Sequence, residues 1–145
     1  MKMFLLSILS GILLLPQAWL TNIEDAKQIA HQHHKYILLN FSGSDWCAPC
    51  IRMHKDIFDS KAFIFYADSN LVLLNADFPR LKKNRLSAVQ QKANDALADV
   101  YNPTGIFPYT LLLDADGKVL KSWEKYYANG TESFIKEIKG ASLSH

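Results

Sequence analysis

The sequence predicts an α/β sandwich, a mixed sheet covered by helices on both faces. Two continuous apolar runs, YILLNF at 36–41 and LVLLNA at 71–76, read as buried central strands with helical sequence between them. Such a crossover pairs its strands in parallel. YTLLLD and KVLKSW, joined by ADG, read as an antiparallel hairpin near the C-terminus. Parallel and antiparallel pairing in one chain make the sheet mixed.

The elements follow in order. The first twenty residues read MKMFLLSILSGILLLPQAWL: one early lysine, an apolar run from Phe4 to Leu15, then Pro16, Gln17 and Ala18. This is the pattern of a secretory signal peptide over residues 1–18, cleaved after Ala18. The run is short of the roughly 20 apolar residues a membrane span needs, and an uncleaved membrane anchor is the lesser alternative. Residues 19–145 then form one domain, without repeat or low-complexity tract. Thr21 and Glu24 have capping-box spacing and open a helix reaching about His34. After the first strand, a Gly/Ser/Asp loop leads to a helix beginning near Cys47, with Pro49 in its first turn, where a missing N–H costs nothing. A short helix over 60–67 precedes the second strand. Ser87 and Gln90 open a further helix to about Val100, and 131–139 reads as the last helix.

Composition sets outer limits. With 49% hydrophobic residues, the chain can bury a core without a disulfide framework. Its formal charge is +2, or +1 once residues 1–18 and their single lysine are removed, and this does not point to nucleic acid.

SDWCAPCIRM, 44–53, holds the only two cysteines, Cys47 and Cys50. Export would place them where disulfides persist. Separated by two residues at a helix start, they can close a disulfide with little movement. A thiol at a helix N-terminus is also acidified, from about 8.5 to roughly 3.5–7.5 in such sites. The spacing suits a redox couple with Cys47 as nucleophile and Cys50, one turn deeper, as resolving thiol. Two other readings stand beside it. Zinc ribbons use the same spacing but need further ligands. An inert local disulfide would constrain little of the unfolded chain, because its loop is so short.

WCAPC after a buried strand, the later GIFPYTLLLDADGKVL and the element order resemble the thioredoxin superfamily. GSDWC, DFPR after the second strand and a Gln-rich helix before the proline narrow this to exported bacterial thioredoxin-like proteins. The resemblance covers the chain from Trp19 onward. It implies a thioredoxin-like three-layer α/β/α sandwich and a thiol–disulfide oxidoreductase acting on protein disulfides or thiols, as a reductase rather than an oxidase. It implies Cys47 as attacking thiol, Cys50 as resolving thiol, Trp46 bordering the active surface, and Pro108 after a cis Phe107–Pro108 bond facing the cysteines. A membrane thiol transporter would supply electrons. No organic cofactor and no metal are implied, and a monomer is expected, in the periplasm or secreted.

The chain also departs from the family pattern. The buried aspartate and its lysine partner correspond to Asn40 and Leu73, which removes the usual help in deprotonating the resolving cysteine. Asp45 offers another carboxylate for proton transfer. The 41–46 loop is one residue longer than in thioredoxin itself, and Phe107 is bulkier than the residue common there. A rival reading uses the same fold without turnover, as a scaffold or, through His54 with the two thiols, to handle copper or zinc. The crowded His31, His33 and His34 are expected to face water at a helix C-terminus. Lys82, Lys83 and Arg85 read as a solvated face or as a patch for an acidic partner. Trp123, Tyr126 and Tyr127 are expected in the core or on an edge strand.

Overall fold

The computed structural model describes residues 17–144. Nearly all of the segment read as a signal peptide therefore lies outside the described residues. None of the described helices is long and apolar enough to cross a membrane.

The elements run α1 (Ile23–His33), β1 (Tyr36–Ser42), α2 (Ala48–Met53), α3 (Lys61–Asn70), β2 (Leu71–Asp77), α4 (Ala88–Tyr101), β3 (Tyr109–Leu113), β4 (Val119–Glu124) and α5 (Thr131–Leu143). The sheet order is β2-β1-β3-β4, with β1 parallel to β2 and both other pairings antiparallel. Leu20 adds a single parallel bridge to Leu74 outside the named strands.

Alternation along the strands sorts the core into two layers. Ile37, Leu39 and Phe41 of β1 meet Val72 and Leu74 of β2, under Ala26 and Ala30 of α1 and Leu97 of α4. Leu38, Leu71, Leu73 and Leu112 point the other way, against Met53, Phe63 and Phe134 of α2, α3 and α5. Each fully buried large apolar side chain contributes about 1.5–3 kcal/mol relative to exposure. Trp123 and Tyr127 pack on Phe134 in this second layer, as core residues.

Three local expectations shift. The cap of α1 is Asn22 rather than Thr21: the Asn22 side-chain oxygen accepts the N–H groups of Glu24 and Asp25. The helix ends at His33, and His34 takes the left-handed conformation. The helix at the cysteines is not α-helical throughout. From His54 to Phe58 it widens into a π-turn, in which the Asp59 N–H reaches the His54 carbonyl. Ile57 and Phe58 are buried by that turn, while Ile51 is exposed. Ser87 caps α4 as expected, but Gln90 reaches across to the Thr21 carbonyl and to Asn94 instead of completing the box.

Candidate active site

The loop between β1 and α2 is held by polar contacts and close packing. The Asp77 carboxylate accepts the Ser44 N–H at 2.9 Å and the hydroxyls of Ser42 and Ser44, while Asn94 donates to the Asp77 carbonyl at 2.8 Å. Gly43 lies directly under Trp46. A Cβ at that position would fall 2.3 Å from the indole, so only glycine lets the ring settle there.

The chain then enters α2 with Cys47 as its N-cap, and Cys47 Sγ accepts the Cys50 N–H at 3.3 Å. Pro49 sits in the exposed first turn, where it removes no helical hydrogen bond. The two cysteines are joined as a disulfide, with Cα atoms 5.2 Å apart. Cys47 is 5% exposed and Cys50 1%, so Cys50 is the deeper of a shielded pair.

Outside Cys47 lies an aromatic rim. Trp46 donates its indole N–H to the Phe78 carbonyl at 2.7 Å and meets Phe107 edge-on at 5.5 Å. Phe107 also packs on Phe78. The Phe107–Pro108 peptide bond is cis, and Pro108 is buried. Asn102, itself buried, clamps the approach to it by bonding both the N–H and the carbonyl of Ile106 at 2.9 Å.

Behind Cys50 lies a different environment, a cleft lined by Cys50, Ser42, Ser44, His54, Asp59 and Asn75 among others. Asn40 is buried on the same face of the sheet. Its partner on β2 is Asn75, not Leu73: Asn40 and Asn75 share register and bond at 3.1 Å, while Leu73 lies opposite Leu38 in the core. The Thr110 hydroxyl donates to the Asn40 side-chain Oδ1 at 3.1 Å. A chain of two side-chain amides and a hydroxyl therefore links β2, β1 and β3 at this level of the sheet. His54 packs against Trp19 and Phe58. Burial holds its imidazole below the ordinary pKa, and the charges of Asp59 and Asp77 pull it partly back.

Asp45 does not line this cleft. Its carboxylate accepts the N–H groups of Arg80 and Leu81, each at 2.9 Å, and the Asn84 amide at 3.0 Å, and these bonds hold its pKa below the usual carboxylate range. The carboxylate fastens a loop and is a poor base. Among the described residues, no group of three or more His, Cys, Asp or Glu side chains converges to hold a metal ion. Asp77, Asn75 and Asn102 carried no local signal in the sequence, because each acts through a partner distant in the chain.

Comparison with known proteins agrees with this geometry. The sequence profile of the thioredoxin-like domain matches residues 23–139. The chain belongs to the thioredoxin-like family. Among its relatives, the disulfide bond reductase DsbH of Chlamydia pneumoniae is 35% identical over 117 residues, which span 81% of this chain and 68% of the relative. The solved structure of a DsbH oxidoreductase is 32% identical and superposes with a TM-score of 0.76, over 90% of this chain and 89% of that one. A Thermus thermophilus thioredoxin, 14% identical with a TM-score of 0.63 over 90% of each chain, shares the fold. The mixed four-stranded sheet is thus the thioredoxin-like sandwich, and this family member is a thiol–disulfide oxidoreductase carrying Cys47 and Cys50 as its disulfide pair. Metal handling on the same fold is not favoured.

Proposed function

We propose that the protein reduces disulfide bonds of other proteins in an exported compartment, periplasmic or secreted, through a mixed disulfide on Cys47. The observation that carries this reading is the position of Cys47: it caps α2 with a backbone N–H directed at its sulfur, beside the aromatic rim, while Cys50 lies deeper. The name of the DsbH relative supports the reducing direction, and the apolar N-terminal segment supports export.

The cycle starts from the dithiol. The Cys47 thiolate, stabilised at the helix start, attacks one sulfur of the substrate disulfide; a Cys47–substrate S–S bond forms and the other substrate sulfur leaves as thiolate. Cys50 loses its proton and attacks Cys47 Sγ, which closes the intramolecular disulfide and releases the second substrate thiolate. The substrate gains two electrons and the protein becomes the disulfide seen in the structure. A thiol donor, in this reading a membrane thiol transporter, restores the dithiol. Trp46, Phe107 and the backbone at Pro108 form the docking surface for an extended substrate segment. The cleft takes the Cys50 proton. His54, largely neutral at pH 7, is its base, a role that Asn40 and Asn75 cannot fill.

Insulin reduction by the mature chain tests the reading. Activity is expected to disappear in Cys47→Ser, and a mixed disulfide cleavable by dithiothreitol should accumulate in Cys50→Ser. Equal turnover by all three proteins would sink it, and accumulation in Cys47→Ser instead would reverse the two roles.

A further inference from the structure

The Asp45 carboxylate, two residues before Cys47, ties the 80–84 segment to the active-site loop through three hydrogen bonds, two from the Arg80 and Leu81 backbone N–H groups and one from the Asn84 side-chain amide. The Arg80 guanidinium lies over the Trp46 ring, 3.6 Å from its centroid. This segment, RLKKNR at 80–85, carries four positive charges and no acid, while the whole chain carries a formal +2, so everything outside the loop sums to −2. Among the described residues, the ion pairs are Lys27–Glu24, His31–Asp116, Arg52–Asp56 and Lys121–Glu137; none engages Arg80, Lys82, Lys83 or Arg85. All four loop cations are exposed, and Leu81 stands among them 48% exposed.

A basic loop that served only solubility could lie anywhere on the surface. This one is fastened beside the nucleophile, in a fixed shape, and presents an apolar side chain among its cations. The oxygens of Asp45 are occupied by the loop's own N–H groups and not by a loop cation. Positive charge concentrated at a reactive site on an otherwise acidic molecule steers encounter and selects oppositely charged partners.

We propose that the 80–85 loop is a docking rim that selects protein substrates whose disulfide is flanked by acidic side chains, with Leu81 taking an adjacent apolar one. This rests on the reductase reading above and names the class of substrate it prefers. The test uses the mature chain and three peptides, each with one disulfide flanked by Glu, Gln or Lys, with hydroxyethyl disulfide as a small neutral reference. At low salt, kcat/KM relative to the reference should rank Glu above Gln above Lys, with a span of about tenfold or more. The span should collapse when ionic strength rises from about 0.01 M, where the Debye length is ~30 Å, to about 1 M, where it is ~3 Å. The triple variant Lys82→Gln, Lys83→Gln, Arg85→Gln should lose the Glu preference, and Lys82→Glu with Lys83→Glu should shift it toward the Lys peptide. Equal relative rates for the three peptides, or a Glu preference that survives both variants, would overturn the rim while leaving the reductase reading intact. No turnover of any disulfide, the reference included, would overturn the reductase reading and the rim with it.

Discussion

The two sulfurs of the disulfide open onto unlike surroundings. Cys47 sits at an aromatic and cationic rim, where Trp46 meets Phe107 edge-on and carries the Arg80 guanidinium over its ring, and a basic loop hangs from Asp45. Cys50 backs onto a small cleft with His54, two serines and an amide chain anchored in the sheet. The rim consists of long side chains on loops and suits the recognition of varied partners. The cleft is built from β1, β2 and a helix turn and suits one repeated proton movement. In the function proposed above, substrate choice and proton handling are separable, although the two cysteines lie within a single helical turn.

The largest expected effect comes from removing the outer sulfur. Cys47→Ser should lower protein disulfide reduction by roughly a thousandfold or more in a turbidity or fluorescence assay, since the one remaining thiol, Cys50, is only 1% exposed and shielded from a substrate disulfide. On the inner side, His54→Gln should slow release of the trapped intermediate by about a hundredfold at pH 7 and move the pH profile of that step upward. Formation of the adduct, read by quenched flow, should change far less. If both steps slow equally, rim and cleft are one functional unit and the comparison breaks.

A smaller effect is expected from the amide chain. Asn40→Leu leaves the Asn75 carbonyl and the Thr110 hydroxyl without their partner, and each unmet group costs about 1–3 kcal/mol. Urea unfolding should show a loss of about 2 kcal/mol or more. The replacement Asn40→Asp is expected to restore a titrating group to this layer, visible as a new step in the pH dependence of resolution.

The smallest effect is a pH dependence of stability. Burial depresses the folded-state pKa of His54 below its unfolded value, so the unfolded chain binds the extra proton between the two. Stability from this group is fully present above the unfolded value of about 6.5 and is lost as pH falls through the depressed folded pKa. For one proton the slope cannot exceed about 1.4 kcal/mol per pH unit. Differential scanning calorimetry of the protein and of His54→Gln should show the wild-type Tm falling faster on acidification below pH 6.5. Parallel curves would remove His54 as the buried titrating group.

Much of the scaffold was legible because it rests on local rules. Continuous apolar runs marked β1 and β2, Ser87 marked the start of α4, and the ADG turn marked the hairpin. The misreadings have equally local causes. Thr21 and Asn22 are adjacent capping residues, and the choice between them followed from the N–H groups that reach Asn22. The π-turn after Met53 adds a residue to one helical turn, and apolar spacing alone does not reveal it.

By itself the sequence determined the strand and helix segments, the cysteine pair at a helix start and its proline, since each depends on neighbours a few residues away. Tertiary structure decided what surrounds that pair. Strand register set Asn75, not Leu73, beside Asn40, and a one-residue slip would have turned every such side chain to the opposite face. The fold also turned Asp45 away from Cys50 toward Arg80 and Leu81, and set His54 in the cleft. Those partners lie tens of residues apart or depend on a widened turn, so their meeting is fixed by how the layers pack.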